Sequence, residues 1–188
     1  MPTVFSHAVA ALGLSALFYR REVPKGVWVL GTVCAALPDL DVVAFRLGIP
    51  YEHLLGHRGL SHSPAFAAAL AAVLVALFFR RGVPGFGPGM LGLYLFVVTA
   101  SHGLLDALTD GGLGVAFLAP FSNERFFFPF HPIEVSPINP RRFLAEGLEV
   151  LRSEILWVWV PSMLLAGVAL GLRRSPNPSA PPDGWRRR

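Results

Sequence analysis

Five apolar runs govern what this chain can fold into: Val4–Phe18, Val27–Phe45, Pro64–Phe79, Met90–Leu108 and Ile155–Leu172. Each is apolar around its whole circumference and lacks the polar stripe that a helix in water needs. Over 188 residues, 53% are hydrophobic and 15% charged, against roughly 25% charged in a soluble domain. Mean hydropathy is +0.54. A compact soluble bundle would leave too little polar helix surface for water. The expectation is an all-α, polytopic membrane helical bundle of about five helices. Two runs fall short of the ~20 residues a spanning helix prefers, a shortfall that bilayer thinning accommodates. Residues 1–174 form one membrane-embedded domain, and 175–188, rich in Pro and Ser and ending in three arginines, read as a disordered basic tail.

The net charge of +4 flanks the apolar runs instead of forming one patch. It therefore reads as a topology signal, not a nucleic-acid footprint. Arg20, Arg21 and Lys25 separate the first two runs, Arg80 and Arg81 follow the third, and Arg173 and Arg174 follow the fifth. With those ends in the cytoplasm, the N-terminus lies outside. Positive charge follows the first run instead of preceding it, so that run reads as a retained helix, not a signal peptide. Cys34 is the one cysteine; it reads as a small buried apolar side chain.

The connections differ in kind. Gly82–Gly89 is a tight helix-breaking loop. Residues 111–153 carry Phe126, Phe127, Phe128 and Phe130. That stretch is too apolar for a free loop, so it packs on the outer mouth or lies in the interface.

All six histidines fall at the same predicted end of the bundle, with Asp39, Asp41, Asp106 and Asp110. His7 alone would be an ordinary solvated histidine. Asp39 and Asp41 follow Pro38 inside an apolar run, where paired carboxylates are costly without a cation; a helix end with interfacial carboxylates is the plainer reading. His57 and His62 are five residues apart, off any single helical face, and a turn at Gly59 would bring both inward. Ser63-Pro64 reads as an N-cap followed by proline at N1. Arg58 suits an anionic substrate group and equally a snorkelling interface residue. His102 and Asp106 are i,i+4 on one helical face, which suits shared ligation or a simple His–Asp hydrogen bond. Helix termination is enough to explain Asp110. His53 precedes the Gly56–Gly59 turn and falls outside this group.

The pieces offer imidazole nitrogen and carboxylate oxygen in similar number. That mixture suits zinc, manganese or iron better than calcium. The ligand count exceeds one ion's needs, so the expectation is a divalent metal, zinc or manganese, as one ion or two, as in many phosphoester hydrolases.

The elements LPDLD (37–41), HRGLSHS (57–63) and SHGLLDALTDGG (101–112) resemble the signature of the YdjM-like family. PFSNERFFFPFHPIEVSPI (120–138) and SEILWVWVP (153–161) are similar to it too. The resemblance runs from His7 to about Leu172. It implies a LexA-binding, inner-membrane-associated, metal-dependent hydrolase, although nothing in this sequence reads as a LexA-docking surface. It carries the metal-ligand role onto His7, Asp39, Asp41, His57, His62, His102 and Asp106. His131 is left out of the core site.

The expected function is hydrolysis of a phosphoester or lipid-linked substrate in the cytoplasmic membrane, with the site on the extracytoplasmic side. Asp39 or Asp41 would act as general base and Arg58 would neutralise substrate charge. Membrane lipid is the expected partner, and nucleic acid is not. The rival readings are a transporter or proton relay, and a non-catalytic stress-response scaffold. A transporter site would sit nearer the midplane, commonly with internal repeats, and none is visible. Reporter fusions test the orientation: those after Arg81 and Arg174 should report cytoplasm, and one at Gly112 the opposite side. A cytoplasmic Gly112 would invert the topology while keeping every ligand at one end.

Overall fold

The computed structural model describes residues 1–137 and 140–174. The expected basic tail, 175–188, lies outside the described residues. Seven α-helices follow in chain order: α1 (Val4–Phe18), α2 (Lys25–Ala36), α3 (Val43–Arg46), α4 (Pro64–Phe78), α5 (Pro88–Asp106), α6 (Pro140–Glu154) and α7 (Val160–Arg174). A 3-10 turn, Leu37–Val42, joins α2 to α3, and a π-helical turn, Ile155–Trp159, joins α6 to α7. Among the described residues there are isolated β-bridges but no strand.

The bundle is organised around α1 and α5. Helix α5 packs against α1, α2 and α4, and α1 also packs against α2 and α7. The contacts are lined with small residues: Ala10, Ala11, Gly13 and Ala16 of α1, Gly31, Cys34 and Ala35 of α2, and Ala67 and Ala71 of α4. Small side chains let helices approach closely, which is how helices associate where lipid removes the hydrophobic drive between them. A Cβ on Gly31 would sit 2.0 Å from the Tyr94 hydroxyl oxygen, the group that meets Ser15 Oγ at 2.9 Å. The large apolar side chains point outward instead, among them Leu12, Val29, Leu77, Met163, Leu164 and Leu172. Lys25–Arg46, Pro88–Asp106 and Ala145–Arg173 are long and apolar enough to cross a membrane, while Val4–Phe18 and Pro64–Phe78 are shorter apolar helices.

The five apolar runs thus appear as helices, with two revisions. The second run is interrupted: Pro38 lies at the start of the 3-10 turn, where its missing N–H cannot extend an α-helix. The long outer stretch also holds an element the apolar count did not expose, the amphipathic helix α6. Its period was hidden because charged residues interrupt its apolar ones, so that no apolar run forms, while Pro140 supplies a helix start.

Basic residues gather at one end. Arg20 Nη1 donates to Gly85 O at 3.1 Å and Arg173 Nη2 to Leu17 O at 2.6 Å, tying the loops there together. The opposite end is built by the start of α1, the end of α2, the start of α4 and the end of α5, with the π-turn alongside.

Close approach at that end depends on Gly103. A Cβ there would lie 2.4 Å from His62 O. Gly103→Ala should force α5 from the 60–63 turn and lower thermal stability in detergent by about 1–3 kcal/mol. Gly92→Ala, whose Cβ would meet nothing nearer than Val75 Cγ2 at 3.7 Å, should be neutral or mildly stabilising. Equal effects would show that the Gly103 contact does not hold this end together.

Candidate metal centre

The 57–63 turn is shaped by two backbone constraints. Arg58 adopts a left-handed conformation with φ 60°, uncommon for a residue with a Cβ. Gly59, expected from the sequence to supply the reversal, has φ −84°. Its role is space: a Cβ there would lie 2.2 Å from Leu54 O. The turn is pinned from outside as well. Arg125 donates to the carbonyls of His57, Tyr51 and His53 at 3.0, 3.0 and 3.1 Å. Ala116 N donates to Arg58 O at 3.0 Å. The aromatic stretch therefore packs over the histidine turn and is not a free loop.

Four elements then converge. His102 Nε2 lies 3.1 Å from His62 Nε2 and 3.3 Å from Asp39 Oδ1. His62 Nε2 lies 3.2 Å from Asp106 Oδ2. One ligand atom from each of Asp39, His62, His102 and Asp106 falls within 4.8 Å of the others. His7 closes the far side: its Nε2 is 3.5 Å from Asp106 Oδ1 and 4.0 Å from Asp39 Oδ2. Its ring stacks on His102 at 3.6 Å between centroids.

The ring orientations suit ligation. His102 Nδ1 is 2.7 Å from Ala35 O. A carbonyl only accepts, so Nδ1 carries the proton and Nε2 turns its lone pair inward. His62 Nδ1 faces Asp41 Oδ2 at 3.1 Å in the same manner. Asp41 is a hub: it takes Ser61 Oγ at 2.5 Å, Arg58 N at 3.1 Å and His57 Nδ1 at 2.6 Å. Asp41, His57 and His62 form a second set with metal-ligand spacing, but His62 joins it through Nδ1. Sharing His62 between two ions would require both ring nitrogens to be deprotonated. Asp41 thus stands behind His62, one step from the four-atom cluster.

Arg58 is placed differently from the expectation of a substrate-facing or snorkelling cation. Its side chain is fully buried. Nε lies 3.0 Å from Asp106 Oδ2, Nη1 donates to Gly111 O at 2.8 Å, and Nη2 to Thr109 Oγ1 at 2.9 Å. The guanidinium holds Asp106 in place.

A metal fits these residues by a direct test. Both oxygens of Asp39, both oxygens of Asp106 and both nitrogens of His7 are buried without a hydrogen-bond partner. Arg58 Nε beside Asp106 is unsatisfied by the same measure; such a cluster is anomalous in a folded protein, and its six carboxylate and imidazole atoms are ligand types for zinc or manganese. Charge agrees. Asp39, Asp41 and Asp106 carry three negative charges and Arg58 one positive, which leaves the two that a divalent cation neutralises.

The remaining expectations resolve simply. His53 is exposed and its Nδ1 accepts from Leu55 N at 3.1 Å. His131 is exposed, edge-on to Phe127. Asp110 accepts from Val135 N at 2.8 Å. Ser63 Oγ accepts from Phe66 N at 3.1 Å as the N-cap of α4. Glu154 was not anticipated. It is fully buried and accepts from Thr3 Oγ1 and Ser6 Oγ, both at 2.6 Å, and from Thr3 N. It anchors the first turn of α1, which carries His7. A glutamate directly before an apolar run was its one visible signal.

With this geometry in place, comparison with known proteins is decisive at the family level. Residues 1–175 match the YdjM inner membrane protein family. The chain belongs to that family. It is also 38% identical over 177 residues to inner membrane protein YbcI of Escherichia coli strain K12, covering 93% of this chain and all of that protein. No solved structure matches it. As a member of the YdjM family it is an inner-membrane protein, and its buried His/Asp group has the composition to hold a metal ion.

His62, outside the membrane-spanning segments, links the site to pH. Burial alone would depress its imidazole, but the neighbouring carboxylates of Asp106 and Asp41 outweigh burial and raise it from 6.5 to about 9. Without an ion, this protonation contributes stability that is fully present below 6.5 and is lost as pH rises through about 9. A cation must displace that proton. Affinity for zinc or manganese should therefore rise up to about tenfold per pH unit between neutrality and pH 9, with release of about one proton per ion. Calorimetry in buffers of different ionisation enthalpy measures this, and pH-independent binding without proton release would remove His62 from the ligand set.

Proposed function

We propose that this chain is a metal-dependent hydrolase of the inner membrane, multi-pass, with its site on the extracytoplasmic side, acting on a phosphoester or lipid-linked substrate. The observation that carries the reading is the set of unpartnered buried atoms on Asp39, Asp106 and His7, facing two inward-turned imidazoles. The side assignment rests on the basic residues Arg20, Arg21, Arg80, Arg81 and Arg173, which flank helix ends remote from the ligands.

In this reading Asp39, His62, His102 and Asp106 hold one divalent ion, zinc or manganese. Asp41 and His57 orient His62, and Arg58 orients Asp106. A second ion is best accommodated beside His7, where Asp39 Oδ2 and Asp106 Oδ1 face its ring at 4.0 and 3.5 Å without a hydrogen bond. One divalent ion already balances the buried charge, so a second would require an anionic substrate for neutrality. When bound, such an ion supplies Lewis acidity toward a phosphoester oxygen. Asp39 is the general-base candidate. Its side chain is the one in the four-ligand set with exposed surface, 11%, and one of its buried oxygens would take a proton from attacking water as the ester P–O bond breaks.

The transporter reading has weaker support. The ligand atoms lie at one end of the bundle and not at mid-depth, and the cluster is closed on the His7, His62, His102 and Asp106 sides.

Purified protein should carry a divalent transition metal, measured by elemental analysis. His102→Ala should lose most of it and destabilise the bundle, because it leaves buried carboxylates uncompensated, at a cost of about 3–5 kcal/mol. His53→Ala should change neither. A metal-free wild type whose unfolding is indifferent to a strong chelator would leave the cluster a hydrogen-bonded network and end the hydrolase reading.

A further inference from the structure

Among the described residues of the cluster, nearly all the exposed side-chain surface lies on one turn, although the Asp39 oxygens themselves are buried. The side chains of His7, His62 and Asp106 have no exposed surface, and His102 is fully buried. Asp39 and Asp41 retain 11% and 9%. Both belong to the 3-10 turn Leu37–Val42.

That turn has an apolar outer face. With three residues per turn, positions 37, 40 and 43 form one row. Leu40 is 64% and Val43 50% exposed, and Leu47, just beyond α3, is 72% exposed. The turn also lies within the stretch Lys25–Arg46 that is long and apolar enough to cross a membrane. The part of the cluster nearest the surface is therefore continuous with an exposed apolar face. Arg46, exposed at the end of this stretch, stands where a basic side chain meets the headgroup layer.

We infer that the substrate is a membrane amphiphile that reaches the cluster sideways from the bilayer, its hydrocarbon chain against Leu40, Val43 and Leu47 and its anionic headgroup at Asp39. This rests on the metal-dependent reading above. A water-soluble phosphoester gains nothing from such a mouth. A chain laid along it stays in an apolar environment while the headgroup stays at interfacial depth, so substrate need not leave the membrane to bind. Arg46 supplies a charge partner for the headgroup at the rim.

The test has two arms, both on the full chain in bilayers of phosphatidylethanolamine and phosphatidylglycerol. In the first, spin labels are placed by Leu40→Cys and Val43→Cys in a Cys34→Ala background, with Glu124→Cys as an exposed loop control. Labels at 40 and 43 should collide with oxygen in preference to a water-soluble nickel chelate, with the reverse at 124. Water-facing labels at 40 and 43 overturn the inference. In the second, manganese-loaded protein is titrated with dodecyl phosphate or inorganic phosphate, and broadening of the phosphorus resonance reports a headgroup beside the ion. Dodecyl phosphate should broaden at a concentration at least tenfold lower. Leu40→Lys should abolish that preference while leaving the manganese content unchanged. Equal broadening by the two probes overturns it. A protein that takes up no manganese defeats the hydrolase reading instead, and the label depths then decide the lateral mouth alone.

Discussion

Uncompensated charge in an apolar bundle is the constraint on which this structure turns. Three carboxylates and a guanidinium lie within hydrogen-bonding range of one another's partners at the end of helices whose outer surfaces are leucine and valine. Such groups are costly in a low-dielectric setting unless each finds an opposite charge or a full set of donors. Asp41 finds donors from Ser61, Arg58 N, His57 and His62. Asp106 finds Arg58. Asp39 finds imidazoles only, the nearest at 3.3 Å. This graded satisfaction separates Asp41 from Asp39, and the sequence, which places the two carboxylates two residues apart, does not distinguish them.

The rest of the molecule holds those groups in register. The π-turn is one example. Residues five apart in an α-helix lie about 140° apart around the axis, so Glu154 and Trp159 would face different ways. The wider i→i+5 turn brings both to α1: Glu154 accepts from Thr3 and Ser6, and Trp159 Nε1 donates to Ser6 Oγ at 2.7 Å. Ser6 and Thr3 are then fully engaged, and His7, next in line, is fixed toward His102. The opposite wall works through backbone, with Arg125 gripping three carbonyls of the 51–57 loop.

Much of this was legible before any coordinates. The apolar runs identify the bundle because hydropathy over 15 or more residues is a strong, local signal. Alternating helices then place His7, Asp39, His62, His102 and Asp106 at one end by topology alone. Three things were not legible. Helix α6 is amphipathic, with charged residues interrupting its apolar ones, so a search for apolar runs passes over it. The left-handed residue of the 57–63 turn is Arg58 and not Gly59, because the site's hydrogen bonds to Asp41 and Ala116, not local propensity, decide the backbone there. Glu154 acts across 151 residues of sequence, a distance no spacing rule covers.

The burial of Arg58 changes what the cluster can do. A guanidinium free at the mouth would bind anions whether or not a cation were present. Here all three kinds of guanidinium nitrogen face protein oxygens: Asp106, Gly111 O and Thr109. Its charge is spent on the ligand and is not available to substrate. In the proposed reading, the remaining negative charge of the site would repel an anionic headgroup, and a bound divalent cation would neutralise it. In the proposed reading, metal occupancy and affinity for an anionic substrate would be coupled through electrostatics as well as ligation. On that reading the charges set an order, with the cation binding before the anionic substrate.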